Sequence, residues 1–225
     1  GNPVITPHAY VPAFVVDGEA MGVGELTSPS DIEVDADGNI YVVDMEYTVD
    51  MTALEGQVAI DEAETEVQED ADVATDEETT EETEEVEEDI AFVDTSGFHG
   101  RVVILNPDYT VKSIITTFDN KGKVDGFSYP EGITIAHDGT IYVADTMHGR
   151  ILRFDQKGNL IHEFKEPVIS YFDEEFSYKP SKLAVDTSNN IYVVAISVNH
   201  GIILLDEFGE FAGFVGAQQV TYSVV

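Results

Sequence analysis

PEGITIAHDGTIYVADTMHGRILRFD, residues 130–155, is the stretch on which the fold turns. Its first thirteen residues align without gaps with PSDIEVDADGNIY at 29–41 and PSKLAVDTSNNIY at 180–192. Each copy runs on into a valine-rich segment (VVD, VAD, VVA). A third segment follows (GRVVILNPD, GRILRFDQKGN, GIILLDEFGE) and then a fourth (VKSIITTF, LIHEF, FAGFVG). Short runs of β-branched and aromatic residues bounded by turn chemistry read as strands joined in hairpins. Asp37-Gly38, Asp138-Gly139 and Asn189-Asn190 recur at one offset, where a tight turn needs a residue at positive φ. No helical period intervenes, so parallel βαβ units are not expected. Four antiparallel strands repeating about every fifty residues predict a β-propeller with one repeat per blade.

The interval between repeats locates an insertion. Pro130 to Pro180 is 50 residues, but Pro29 to Pro130 is 101. Residues 45–93 hold 20 of the 45 acidic residues and none of the 10 basic ones, and without those 49 residues the longer interval becomes 52. We therefore read 1–225 as a single partial propeller interrupted at 45–93. The acidic segment falls between the second and third strands of the first full blade. Its Glu, Asp, Thr and Ala composition cannot bury a core, which predicts a disordered, solvated loop. An arm for a basic partner or for loosely held calcium is the sharper alternative. A lone strand near Ala13–Asp17, resembling an outermost fourth strand, precedes the first blade.

The pattern Pro-x-x-Ile/Leu-x-Val/Ile, then Gly/Asn-x-Ile-Tyr-Val-x-Asp, then Gly-Arg-Ile/Val resembles the NHL-repeat family of β-propellers. Residues 130–155 match it almost throughout, and the layout is similar to secreted or cell-surface bacterial proteins of that type. The resemblance implies a ring of about six blades, of which three complete units stand here. The remaining blades are expected either from sequence not present in these 225 residues or from a second copy about a two-fold axis. An open half-ring would leave two apolar end faces wet.

Fold does not give function, so the site must be argued from residues. In an antiparallel blade one face collects the short first-to-second and third-to-fourth turns. The other collects the second-to-third connections and the links between blades. That second face holds the acidic segment, the three His-Gly steps (His99, His148, His200) and the longer segments GKVDGFSY and EPVISYFDEEFSY. Long loops on a rigid scaffold are where binding resides. Glu131, Asp145, His148, Arg150 and Lys182 are the expected ligand contacts, although for Arg101 and Arg150 a structural role, holding blades together on carbonyls or carboxylates, is the favoured reading. Asp44, Asp94 and Asp145 most simply cap turns, and Ala195 breaks that series in the third repeat. His99, His148 and His200 are weak zinc candidates, because His or Asn at such a turn tolerates left-handed dihedrals without any ion.

Related propellers include a peptidyl-hydroxyglycine lyase and lactone hydrolases. The lyase resemblance would require zinc-binding histidines just after the repeat proline, where this chain has Ser30, Glu131 and Ser181. The lactonase resemblance implies a calcium site of Glu, Asn and Asp at the channel mouth, where Glu131 has no matching Asn and Asp. A non-catalytic scaffold binding protein, peptide or glycan is therefore expected, with a metal-dependent lyase or lactone hydrolase as the alternative. A structural module of a larger surface protein is the third reading. A net charge of −35 repels phosphate backbones and disfavours nucleic acid. The lack of cysteine removes disulfides and thiolate metal sites. No apolar run approaches the ~20 residues of a membrane-spanning helix. The opening Gly-Asn-Pro reads as a mature or engineered start, and the address expected is extracellular or at the cell surface.

Overall fold

A computed structural model of the chain describes residues 15–48, 97–169, 177–196, 198–199 and 201–216. Two compact units divide it, residues 1–48 with 98–225 and residues 49–97. Of the second unit only the exposed Gly97 is described. The acidic segment beyond Thr48 lies outside the described residues. Its expected first residues do not: Met45–Thr48 prolong a strand, and Thr48 pairs with His99.

Three four-stranded antiparallel sheets follow one another along the first unit, each in chain order. The first holds β1 (Pro29–Val34), β2 (Ile40–Thr48), β3 (His99–Leu105) and β4 (Val111–Ile115). A small hairpin of β5 (Thr117–Asp119) and β6 (Val124–Gly126) comes next. The second sheet holds β7 (Gly132–Ile135), β8 (Ile141–Asp145), β9 (Arg150–Phe154) and β10 (Leu160–Phe164). The third holds β11 (Pro180–Val185), β12 (Ile191–Ala195), β13 (Ile202–Leu205) and β14 (Phe211–Val215). This is the all-β propeller architecture expected from the repeat.

Two segments differ from expectation. The expected strand near Ala13–Asp17 is absent among the described residues. Asp17 instead accepts the Ala20 N–H at 2.8 Å and caps a single helical turn, α1 (Gly18–Met21), closed by Gly22 at φ 78°. The segment GKVDGFSY is not a plain loop either. Its Val124–Gly126 pairs with Thr117–Asp119, and Phe118 and Phe127 of this hairpin meet edge-on at 5.4 Å.

Strand alternation distributes the core between sheets. Tyr41 and Val43 of β2 face the second sheet and join Ile133, Ile141, Val143, Leu152 and Phe154 in one cluster. Val42 points the other way and packs with Val103 and Leu105 beneath Val23. A second large cluster lies between the second and third sheets, around Tyr142, Ile151, Ile191, Val193 and Ile203. The outward sides are only partly covered: Ile32 is 62% exposed on the first sheet and Val194 46% on the third.

The short turns share one geometry. Asp35 N–H donates to Asn39 O at 3.0 Å and Gly38 N–H to Asp35 O at 3.1 Å, with Gly38 at φ 83°. The same pair of bonds closes the turns headed by Ala136 and Asp186, with Gly139 at φ 80° and Asn189 at φ 62°. These are three-residue loops around a left-handed residue. The Asp35 carboxylate accepts from the N–H of Asp37 and Asn39, the Asn39 amide and the Tyr41 hydroxyl. Partial burial alone would raise its pKa, but the hydrogen bonds from Asn39 and Tyr41 lower it below the ordinary 3.8. Asp35→Ala should therefore cost about 1 kcal/mol in chemical denaturation at neutral pH. Because the folded pKa is the lower one, this loss should shrink as pH falls through and below 3.8.

Candidate functional site

The starts of the inner strands β1, β7 and β11 and the ends of β2, β8 and β12 lie on one face, and all five expected contacts belong to it. The structure divides them into two clusters.

The first begins with a device repeated in two blades. Asp44 ends the straight part of β2 and Arg101 is the third residue of β3; their Oδ2 and Nε lie 3.0 Å apart, and both side chains are buried. Arg101 then donates to the carbonyls of Val23 and Glu25 at 2.7 and 2.8 Å, pinning the segment that precedes the blade. In the next blade Asp145 ends β8 and Arg150 opens β9. Arg150 Nε donates to Asp145 Oδ2 at 2.8 Å, while Nη1 and Nη2 reach Asp125 at 2.7 and 2.9 Å. Glu163 Oε1 at 3.1 Å and the Gly126 carbonyl at 2.9 Å take further guanidinium protons. Asp145 Oδ1 accepts the Ser128 N–H at 2.6 Å. Asp145 and Arg150 are thus interior groups, 0% and 8% exposed, in keeping with the structural role the sequence favoured for both over open ligand contact. The reason is geometric: five fixed N–H donors suit a site that must hold two strands and a hairpin together.

The third blade lacks both halves of the device, with Ala195 and Ile202 in the equivalent places. The joint loss of Asp and Arg was legible as a pair signal in the sequence. Asp125 and Glu163 were not, because nothing in their spacing connects them to Arg150.

His148 borders this network. Its Nδ1 lies 2.8 Å from Asp145 Oδ2, and its side chain is 35% exposed. A buried carboxylate on Nδ1 orients the ring and leaves Nε2 available as an acceptor. Beside it lies an open cleft of about 560 Å³ whose walls include His148, Glu163, Lys165, Glu166 and Tyr178. Tyr178 is 3% exposed, and its hydroxyl is buried without a hydrogen-bond partner among the described residues. Burial, then the nearby Glu166 charge, raises its pKa.

Glu131 and Lys182 form the second cluster. Lys182 Nζ lies 2.9 Å from Ser30 O, 2.6 Å from Glu131 O and 3.2 Å from Asp31 Oδ2. Its three protons therefore meet three protein oxygens, while the side chain stays 48% exposed. Glu131 takes part through its main chain, accepting from Lys182 and donating its N–H to Ala144 O at 3.1 Å.

Two members of the histidine series, His99 and His148, are described, and each has its own partner. His99 is the first residue of β3 and stacks on Tyr129 at 4.8 Å, His148 sits in a turn on Asp145, and His200 lies outside the described residues. The glycines carry the left-handed dihedrals, with Gly100, Gly149 and Gly201 at φ of 110°, 62° and 113°, and neither His99 nor His148 does. Among the described residues no group of three or more His, Asp or Glu is placed to share a metal ion. The oxygens nearest the inner strand starts are already occupied by Lys182. The calcium site that the lactonase resemblance implies does not fit these residues.

A family model described as the SMP-30/gluconolactonase/LRE-like region matches residues 16–172. The chain is 31% identical over 101 residues to the protein brain tumor of Drosophila melanogaster, covering 44% of this chain and 10% of that protein. Among solved structures, a putative gluconolactonase is 18% identical with a TM-score of 0.46, covering 87% of this chain and 49% of the other. A gluconolactonase of Xanthomonas campestris is 18% identical with a TM-score of 0.44, covering 83% and 46%. Virginiamycin B lyase of Staphylococcus aureus is 14% identical with a TM-score of 0.36, covering 84% and 55%. The chain spans about a tenth of that curated relative and about half of these solved chains.

Proposed function

The chain belongs to the SMP-30/gluconolactonase/LRE-like family, a family of β-propellers, and from that premise we propose a non-catalytic binding module of NHL type that receives a protein, peptide or glycan segment in the cleft beside His148. One observation carries this reading. Tyr178 lines a cleft that already offers donors and acceptors of both charges, and just behind that wall its hydroxyl is buried with no hydrogen-bond partner among the described residues. An orphaned buried hydroxyl costs roughly 1–3 kcal/mol, which a polar ligand atom would offset. The neighbouring Asp145 and Arg150 are saturated and act as the frame. The chain's negative charge would steer basic segments toward it. An extracellular or cell-surface address belongs to the same proposal.

Arrays of glycans and basic peptides probed with the full chain would test it. Tyr178→Phe should weaken a captured ligand about tenfold, while Tm stays level or rises because the orphaned hydroxyl is gone. A Tm that falls with the substitution, or arrays without a ligand that competes at the cleft, would sink the reading.

The His148–Asp145 pair, together with the family match, favours a second reading as a lactone hydrolase. Aldonolactone hydrolysis by the full chain, measured with and without added divalent cations, decides between them. Turnover that disappears in His148→Ala would replace the binding reading.

A further inference from the structure

The third residue of the repeat motif is Asp31 in the first blade, Gly132 in the second and Lys182 in the third: an acid, a glycine and a base at one structural position. The structure explains the combination. Asp31 Oδ2 accepts the Ile133 N–H of the next blade at 3.1 Å and lies 3.2 Å from Lys182 Nζ. A Cβ on Gly132 would stand 2.3 Å from Ser181 O and 3.1 Å from Lys182 Cα, so the bare glycine lets β11 settle directly on β7. That approach brings the third blade's ammonium to a carbonyl of the first blade, 152 positions away in the chain.

We infer that Lys182 is a resident cation at the inner strand starts of the three blades, cross-linking them through oxygens that could otherwise bind a metal ion. Two carbonyl oxygens and a carboxylate are the hard oxygen ligands that calcium prefers. An ammonium offers three protons to the same three atoms. The positive charge is supplied by the chain, so these oxygens are held together without a divalent ion. Removing the lysine side chain should expose a weak oxygen site that accepts calcium in the millimolar range.

The full chain carrying Lys182→Met should melt about 4 °C below the parent. Millimolar calcium should restore most of that loss while leaving the parent's Tm unchanged. Adding Asp31→Asn should abolish the calcium response of the variant. A variant that melts with the parent, or calcium that stabilises parent and variant equally, overturns the inference. Should Lys182→Met fail to fold, acetylation of the parent followed by mass spectrometry decides. A clasped Lys182, although its side chain is 48% exposed, should react about tenfold more slowly than the exposed Lys121 and Lys157. Equal rates overturn it.

Discussion

Arg150→Ala should lower folding stability by about 4 kcal/mol, the largest loss expected from any exchange on the loop-rich face. The guanidinium is the common partner of Asp145, Asp125, Glu163 and the Gly126 carbonyl. Without it Asp145, 0% exposed, keeps only the Ser128 N–H and His148, and Asp125 keeps Asn120 and its neighbouring N–H. An interior carboxylate stripped of its cation costs more than the intact pair contributes, because the desolvation of the remaining charge is no longer offset. Urea denaturation of the parent and the variant measures the difference.

The pH dependence checks the mechanism. Burial by itself would raise Asp125, but hydrogen bonds from Arg150 and Asn120 and the Arg150 charge hold it at about 2, against an ordinary 3.8. Between those values the unfolded chain binds the proton and the folded one does not. The stabilisation is therefore complete above about pH 4 and is lost as pH falls toward about 2. The parent should lose stability across that window, and Arg150→Ala should lose distinctly less. Parallel curves would show that Arg150 is not what holds Asp125 down.

Gly132→Ala is expected to cost about 3 kcal/mol, from overpacking rather than from lost charge. The atom that the new methyl meets, Ser181 O at 2.3 Å, is main chain at the start of β11, so no rotamer change can relieve the contact. The whole third sheet must move away from the second, and the ammonium of Lys182 moves with it. Thermal unfolding should show the loss. Combining Gly132→Ala with Lys182→Met should give less than the sum of the two, since a displaced lysine has already lost its oxygens. Strict additivity would mean that the glycine gap and the lysine clasp act independently.

Much of this architecture was legible from local chemistry. Alternation along NIYVVD and TIYVAD sends Val43 and Val143 to one cluster and Val42 to another, and the turn residues sit where positive φ is required. Such features depend on residues a few positions apart, which a repeat of about fifty displays three times over. The expected strand before the first blade failed for a local reason as well: Asp17 and Gly22 carry helix-capping chemistry that outcompeted the β pattern. Gly122–Tyr129 became part of a hairpin because Phe118 and Phe127 gained a place against Phe154, a tertiary reward.

The assignment of charged residues was another matter. His148 stays 35% exposed, whereas Asp145 and Arg150 are bonded into the frame and Lys182 meets three protein oxygens. Arg150 meets Asp125 across 25 positions and Lys182 meets Ser30 across 152. By itself the sequence determined the four strands of each blade and their grouping into blades, because strand period and turn geometry act between near neighbours in the chain. Only the tertiary structure decided which polar groups are spent on holding blades together and which remain for a ligand. Burial and hydrogen-bond saturation depend on what the folded chain brings alongside, and that is set by packing between sheets.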